Sequence, residues 1–303
     1  MINLWVQVLF LVLDSFLSEY PVQKIIGGWH ADIRQVPYFV RILMGQEYLQ
    51  QQNICGATII HRRWLLTAGH CALIYPKMWL VLGVDNLSDT QNMPRNGDSL
   101  PRVDLIQCHP EYKLNIVRNK EPRFSTYWAS DDICLVRVDH DIQFGRYINR
   151  AILPWQAYEQ EFKEKQFIVS GYGAAREPEL PNTLRSTNIK SLPHEICESH
   201  FNTYNIAKYK RDFHFCFGSP GNVTQIPCYG DSGGGILYKD SITRCNVVIG
   251  IVSMGYCVFQ AAVRVPAYKE WVQETMDRFT FSEPGYNRHN YSYPQRNSLD
   301  DDE

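Results

Sequence analysis

The chain has 303 residues, of which 45% are hydrophobic and 20% charged, and its formal net charge is −2. This composition, with 13% aromatic residues, excludes a chain that is disordered throughout and predicts a globular protein with a full core. The near-neutral charge gives no electrostatic reason to expect nucleic acid as a partner. Nine cysteines are an odd number, so at least one of them has no disulfide partner within the chain.

The N-terminus is an apolar run from Met1 to Leu13, followed by Asp14. This run is too short to span a bilayer and predicts a secretory signal peptide over residues 1–18, with an approximate boundary. The alternative is a buried N-terminal helix or strand. No later run reaches the ~18 apolar residues that a transmembrane helix needs, so we expect no membrane as a partner.

Secretion to the extracellular space agrees with the cysteine content, because disulfides persist in oxidising compartments. Three Asn-x-Ser/Thr sequences, at Asn86, Asn222 and Asn290, are candidate glycosylation sites. The sequence therefore predicts a secreted, disulfide-bonded glycoprotein.

The middle of the chain consists of many short β-prone runs separated by turn residues. The clearest runs are Thr58–Ile60, Met78–Leu82, Ile133–Val138, Phe167–Ser170 and Val247–Ser253. Their spacing predicts an all-β sandwich or a pair of barrels. One helix is predicted after Pro266, because apolar residues recur at helical spacing from Tyr268 to Phe279. Residues 280–303 have no apolar periodicity and predict a disordered tail.

The most informative string is Gly230-Asp-Ser-Gly-Gly234. Glycines around a serine allow a sharp turn that exposes the hydroxyl and the neighbouring N–H groups, which can stabilise an oxyanion. A serine hydroxyl is a weak nucleophile until a base takes its proton. His70 is the best candidate base, because it follows an apolar strand. Asp132 or Asp131, at the start of another apolar strand, could orient the imidazole.

These motifs resemble those of the trypsin/chymotrypsin-like serine proteases, in the order found in that family. The matching segments are Ile25-Ile-Gly-Gly28, Leu66-Thr-Ala-Gly-His-Cys71, Asp132-Ile-Cys-Leu-Val136, Ser170-Gly-Tyr-Gly173, Gly230-Asp-Ser-Gly-Gly-Gly235, Gly250-Ile-Val-Ser-Met-Gly255 and Tyr268-Lys-Glu-Trp-Val272. The resemblance implies an all-β fold of two packed six-stranded antiparallel β-barrels with a C-terminal helix. The protease domain would span residues 25–279, with the active site between the barrels.

The resemblance also implies the roles of the site residues. Ser232 would be the nucleophile, His70 the general base and Asp132, rather than Asp131, the orienting carboxylate. The N–H groups of Gly230 and Ser232 would form the oxyanion hole, and Ser253 would support Asp132.

A zymogen is implied by the residues before the protease domain. Lys24 precedes Ile25, so a trypsin-like protease could cut there and release residues 19–24 as an activation segment. The new Ile25 amine would then pair with the Asp231 carboxylate and order the oxyanion loop. The alternative is that Lys24 is an ordinary exposed lysine.

Six of the cysteines match disulfide pairs of the family. These pairs are Cys55–Cys71, Cys197–Cys216 and Cys228–Cys257. Cys108, Cys134 and Cys245 remain. Cys134 is most simply a buried free thiol, and Cys108 could pair with Cys245.

The expected specificity pocket departs from the family pattern. Ile226 stands at the pocket base, where trypsin-like enzymes hold an Asp, so we expect no preference for Arg or Lys. Gly255 keeps one pocket wall open, whereas Gln260 replaces a small residue and could fill the pocket. The stretch from Lys113 to Ser130 is expanded and is either a solvated loop or an exosite for an acidic partner.

The leading hypothesis is a secreted serine endopeptidase made as a zymogen, with narrow, non-basic specificity. Its expected partners are a protein or peptide substrate, an activating trypsin-like protease and a protein inhibitor. We expect a monomer that requires no cofactor and no metal. The alternative is a catalytically weak or inactive homologue that acts as a binding or regulatory protein. A serine esterase is disfavoured, because in that class the histidine comes last in the chain.

Overall fold

The fold is seen in a computed structural model, which describes residues 28–44, 53–72, 78–86, 101–117, 126–154, 166–173, 183–203, 209–218, 227, 230–240, 244–256 and 259–280. The expected signal peptide, the activation segment and residues 281–303 of the expected tail lie outside these residues. The strands are β1 Trp29–His30, β2 Phe39–Met44, β3 Asn53–His61, β4 Trp64–Thr67, β5 Met78–Leu82, β6 Val103–Cys108, β7 Lys113–Val117, β8 Thr126–Ser130, β9 Cys134–Val138, β10 Gln166–Gly171, β11 Arg185–Ser191, β12 His214–Gly218, β13 Gly235–Lys239, β14 Asn246–Tyr256 and β15 Phe259–Arg264. The helices are α1 Gly69–Ala72, α2 His194–Thr203, a 3₁₀ turn Val265–Tyr268 and α3 Lys269–Thr280.

Two antiparallel sheets make up the body of the molecule. The first has six strands in the order β5-β2-β3-β4-β9-β6 and curls into a half-barrel. The second has the order β1-β11-β10-β13-β14-β15-β12, and β12 also pairs with β11, which closes six of its strands into a barrel. The prediction of two packed six-stranded units is therefore confirmed, with one unit closed and the other open.

The two sheets share an apolar core. Ile59 and Leu135 of the first sheet belong to one buried cluster with Leu237 and Ile251 of the second. Burying such side chains stabilises the fold by roughly 1.5–3 kcal/mol each. Because the core joins the sheets, loops at their common edge are held at fixed distances from one another.

The predicted C-terminal helix is confirmed. Pro266 lies at the start of the 3₁₀ turn, where its missing N–H is tolerated, and the turn runs directly into α3. Tyr268 and Val272 are buried on the face that the periodicity indicated. No helix among the described residues is long and apolar enough to cross a membrane.

Helix α2 and the β7–β8 hairpin were not predicted. Helix α2 has few apolar residues; Cys197 and Phe201 are buried, but Ile196 is exposed, which weakens the helical pattern. The expanded stretch from Lys113 to Ser130 is not simply a loop, because its two ends pair as the β7–β8 hairpin. Lys113 is exposed, whereas the other three basic residues of this stretch lie outside the described residues.

Candidate active site

His70 lies in the short helix α1, directly after strand β4. The turn from β4 into α1 passes through Gly69, where a Cβ atom would lie 2.5 Å from Cε2 of Tyr112 and 3.1 Å from Oδ1 of Asp132. Real Cβ atoms do not approach other atoms this closely, so glycine is required at this position. His70 is 7% exposed, and its position is set by the strand before it and the close contact at Gly69.

The structure brings Asp132 to His70. The Asp132 side chain is fully buried, and its Oδ2 lies 2.8 Å from Nδ1 of His70. Its Oδ1 accepts a hydrogen bond of 2.8 Å from the backbone N–H of His70, and Oδ2 accepts one of 2.6 Å from the Ser253 hydroxyl. The carboxylate therefore holds both the ring and the backbone of the histidine.

Asp131, the alternative carboxylate, points elsewhere. Its Oδ1 accepts a hydrogen bond of 3.1 Å from the hydroxyl of Tyr268, and its backbone has a φ of +50°. This left-handed conformation turns the chain between β8 and β9, so that the two neighbouring aspartates face different partners.

The electrostatics of the His70–Asp132 pair favour an ionised carboxylate. Burial by itself lowers the pKa of His70, but the charge of Asp132 and its hydrogen bond outweigh this effect and raise that pKa. Burial by itself raises the pKa of Asp132, but the His70 charge, together with hydrogen bonds from His70 and Ser253, lowers it. An imidazole oriented and made more basic in this way is suited to accept a proton from a nucleophile.

Ser232 lies in a tight loop before strand β13. Its carbonyl oxygen accepts a hydrogen bond of 2.7 Å from the Gly56 N–H and lies 3.5 Å from Sγ of Cys71, the residue after His70. Gly230 and Gly233 have φ of +93° and +79°, a conformation that favours glycine. The serine loop is thus fastened beside the histidine, with the Ser232 residue half-buried.

Strand β14 links the serine loop to the aspartate. Val252 accepts a hydrogen bond from the Gly233 N–H, at 2.8 Å, and donates one to the Gly234 carbonyl, at 2.9 Å. The next residue, Ser253, is the one that binds Asp132. Two adjacent residues of one strand therefore hold the loop of the nucleophile and the carboxylate in register.

Asp231 is 1% exposed. Its Oδ1 accepts a hydrogen bond of 2.8 Å from the Gly173 N–H. The carboxylate occupies the space that a Cβ atom would need at Gly171 and at Gly173. Lys24 and Ile25, the expected cleavage site and partner amine, lie outside the described residues.

Two of the expected pocket residues, Gly255 and Gln260, lie in the hairpin of β14 and β15. Gly255 is exposed, has a φ of +130° and pairs with Gln260 across the hairpin. Gln260 is only 6% exposed, and its Nε2 donates a hydrogen bond of 2.5 Å to the carbonyl of Pro227. Ile226, the expected pocket base, lies outside the described residues.

Three disulfides are present among the described residues. Cys55–Cys71 and Cys197–Cys216 are two of the pairs implied by the family resemblance, whereas Cys228 and Cys257 lie outside the described residues. The third bond joins Cys108 to Cys134.

The interpretation of Cys134 as a free thiol is therefore wrong, as is the alternative bond between Cys108 and Cys245. Cys134 is fully buried, as expected, but the register of β6 and β9 places it directly opposite Cys108. Neither the length of the intervening segment nor its composition reveals this register, so the pair could not be found from the sequence.

Cys55, His70 and Cys71 are the one cluster of metal-binding residue types among the described residues, with ligand atoms within 4.8 Å of one another. Metals bind cysteine as the thiolate. The two sulfurs are bonded to each other in the Cys55–Cys71 disulfide and offer no thiolate. This cluster is therefore a disulfide beside a histidine rather than a metal site.

Of the three candidate glycosylation sites, Asn86 is described. It is half-buried and forms an isolated β-bridge with Thr183. Asn222 and Asn290 lie outside the described residues.

Tyr112 contributes to the site but was not singled out in the sequence. Burial, and then the negative charge of Asp132, raise the pKa of its hydroxyl. The His109-Pro110 pair just before it was the available signal, since it marks a turn next to a strand.

A family model described as Trypsin matches residues 25–272. Among known proteins, the chain is 28% identical over 282 residues to kallikrein 1-related peptidase b11 of Mus musculus, which covers 90% of this chain and 98% of that protein. It is 27% identical over 233 residues to venom serine protease 34 of Apis mellifera, covering 77% of this chain. It is also 27% identical over 239 residues to CLIP domain-containing serine protease B15 of Anopheles gambiae, covering 73% of this chain.

The aligned region spans 53% of the venom protease and 61% of the CLIP-domain protease, so those two proteins are considerably longer than their match to this chain. The family model, in contrast, covers most of the chain and includes the histidine, aspartate and serine segments described above. On this match, together with the two-sheet fold, the chain belongs to the trypsin family of serine proteases.

Proposed function

We propose that this protein is a secreted serine endopeptidase, made as a zymogen and activated by cleavage after Lys24. The observation that carries the proposal is the buried array in which Ser253 and His70 both bind Asp132, next to the loop of Ser232. A carboxylate that orients a histidine beside a serine turn is the arrangement that acyl transfer through a serine requires.

In the proposed reaction, the Ser232 hydroxyl attacks the carbonyl carbon of the scissile peptide bond and His70 Nε2 takes its proton. The N–H groups of Gly230 and Ser232 bind the oxyanion of the tetrahedral intermediate. His70 then gives the proton to the leaving amine, which leaves an acyl-enzyme. Water repeats the sequence with His70 as base, and the acid product is released.

Activation is proposed to depend on Asp231. Cleavage after Lys24 frees the amine of Ile25 as a cation, and the buried Asp231 carboxylate is its expected partner. An ion pair at this position would hold Gly230 and Ser232 with their N–H groups directed into the cleft. The support for this step is the burial of Asp231 next to the nucleophile and its hydrogen bond from Gly173.

The specificity is proposed to be narrow and non-basic. Ile226 brings no charge to the pocket base. The side chain of Gln260, in β15, donates a hydrogen bond to the carbonyl of Pro227. Tyr256 pairs with Phe259, so only two residues connect β14 to β15 and the pocket wall is short. A pocket crossed by this amide would accept small side chains better than long cations.

Secretion is supported by the three disulfides, since such bonds persist in oxidising compartments. The N-terminal apolar run, the three candidate glycosylation sites and the match to a protein named as a venom protease agree with this location. The proposed partners are those expected from the sequence: a protein or peptide substrate, an activating protease and a protein inhibitor. The protein itself is proposed to be a monomer.

The second candidate function is that of a binding or regulatory protein with little turnover. The observation that favours it is the Gln260 side chain, which is buried in the region of the expected pocket. A pocket that cannot admit a substrate side chain would leave the triad without a correctly placed peptide bond.

One experiment separates the two candidates. Residues 20–24 are replaced by Asp-Asp-Asp-Asp-Lys, so that enteropeptidase cuts at the native position, and the cleaved protein is treated with a fluorophosphonate. The protease hypothesis predicts an adduct on Ser232 after cleavage, little before it, and none in Ser232→Ala. A correctly cleaved protein that remains unlabelled would support the binding protein instead.

A further inference from the structure

The Cys108–Cys134 disulfide joins two neighbouring strands beside the aspartate of the candidate triad. Cys108 is the last residue of β6, Cys134 is the first residue of β9, and the two lie opposite each other in the strand register. Cys134 follows Asp132 by two residues, and both are fully buried. The covalent bond therefore lies at the start of β9, two residues after the carboxylate of Asp132.

Strand β6 is held by the sheet along one side. It is the last strand in the order of the first sheet, and β9 is its neighbour. Edge strands open more readily than central ones, because fewer backbone hydrogen bonds hold them. Beyond the disulfide, the backbone pairing continues through the His109 N–H, which donates a hydrogen bond of 3.0 Å to the carbonyl of Ile133.

The turn that follows β6 covers the carboxylate. Tyr112 closes this turn through a backbone hydrogen bond of 2.9 Å to His109. Its ring and Asp132 Oδ1 both lie close to Gly69, since a Cβ atom added there would be 2.5 Å from the ring and 3.1 Å from Oδ1. If the end of β6 moved away from β9, the ring would move with it and water would reach the hydrogen bonds of the carboxylate.

The other side of the same turn contacts the C-terminal helix. The ring of His109 packs edge-on against Tyr268 and Trp271, with centroids 5.1 and 5.2 Å away. Tyr268 in turn binds Asp131, the residue before the catalytic candidate. A shift of β6 would therefore act on Asp132 from two directions, through Tyr112 and through Asp131.

We propose that the Cys108–Cys134 disulfide is a positioning element for Asp132. By fixing the end of β6 to β9, it keeps the carboxylate dry and aligned with His70. The two cysteines do not contact substrate and are positioning residues. The inference rests on the proposed protease function, in which Asp132 orients the base.

The test compares two cysteine pairs of the full chain. Cys108→Ala/Cys134→Ala removes the proposed element, and Cys197→Ala/Cys216→Ala removes a disulfide of similar loop length, 19 against 26 residues, elsewhere in the fold. Double replacement leaves no new unpaired thiol. For each activated variant, the pKa of His70 is measured by NMR and kcat and KM are measured on a peptide substrate.

We expect the first variant to lower both the pKa of His70, by about one unit, and kcat, by about tenfold, with KM unchanged. The control variant should change neither value. Both variants retain the other titratable groups around His70 and Asp132, which are Tyr112, His109, Asp131 and His214. An unchanged His70 pKa, or an equal loss of kcat in both variants, would overturn the proposal.

The NMR titration keeps this inference separate from the proposed function. It reports the His70–Asp132 bond even in a protein without turnover, whereas fluorophosphonate labelling of Ser232 tests the protease itself. If the alanine variant does not fold, Cys108→Val/Cys134→Val retains an apolar cross-strand pair suited to a β-sheet and lacks the covalent bond. The same lowering of the His70 pKa is expected there, and a pKa equal to that of the parent would overturn the proposal.

Discussion

Replacing Asp132 by asparagine should nearly abolish turnover while the fold is kept. The carboxylate receives three hydrogen bonds, from the His70 backbone, the His70 ring and the Ser253 hydroxyl. An asparagine of the same shape has one accepting oxygen and one donating NH₂ group. The oxygen can serve the His70 backbone, and the NH₂ group then faces the ring and Ser253.

This orientation keeps partners for the His70 backbone and ring, but it reverses the tautomer of His70 and makes the Ser253 hydroxyl an acceptor where it now donates. Nδ1 becomes the acceptor, so the ring proton moves to Nε2, which can no longer take the proton of Ser232. In the triad of this family, the same replacement lowers kcat by about 10⁴, which corresponds to about 5.4 kcal/mol of transition-state stabilisation. Because both hydrogen bonds to His70 are replaced rather than lost, the melting temperature should change little.

The assay is kcat of the activated protein on a peptide selected from a library, with the melting temperature measured in parallel. Asp131→Asn is the matched control, since this neighbouring aspartate binds Tyr268 rather than His70. The control should retain kcat within a few-fold. Turnover of Asp132→Asn within tenfold of the parent would refute the assigned role of the carboxylate, and equal losses in both variants would refute the distinction between them.

Three further outcomes are expected. Gln260→Gly removes the amide bound to Pro227, so kcat/KM for bulkier residues before the scissile bond should rise about tenfold relative to small ones, and an unchanged preference in a peptide library would contradict this. Cys197→Ala/Cys216→Ala opens a loop of 19 residues and should lower the free energy of unfolding by about 3 kcal/mol, measured by urea titration; a loss below about 1 kcal/mol would contradict the estimate. Burial lowers the pKa of His214 to about 4, so the folded state resists protonation of this residue. The contribution of neutral His214 to the free energy of unfolding is therefore fully present above about pH 6.5 and is lost as the pH falls toward 4. His214→Phe should therefore lose less stability than the parent between pH 7 and 4, by about 3 kcal/mol in denaturant titrations, and an equal loss would exclude His214 as the cause.

Much of this fold could be predicted from local patterns. The strand at Met78–Leu82 is a short apolar run and the helix after Pro266 has apolar residues at helical spacing; both signals depend on neighbouring residues of the same segment, and the structure has both elements. Helix α2 was missed for the same reason, since its exposed Ile196 breaks the pattern. The β7–β8 hairpin was missed because its strands lie within a long, charged insertion that is typical of a loop.

The sequence by itself determined the family and the order of the histidine, aspartate and serine segments, because short motifs specify local chemistry. The motifs alone left Asp131 and Asp132 open and the family resemblance implied Asp132, which the tertiary structure brings to His70; that Cys134 is bonded to Cys108 was decided by the tertiary structure alone. Both depend on which strand lies beside which, and in which register. The register follows from packing among segments far apart in the chain, so no local pattern contains it.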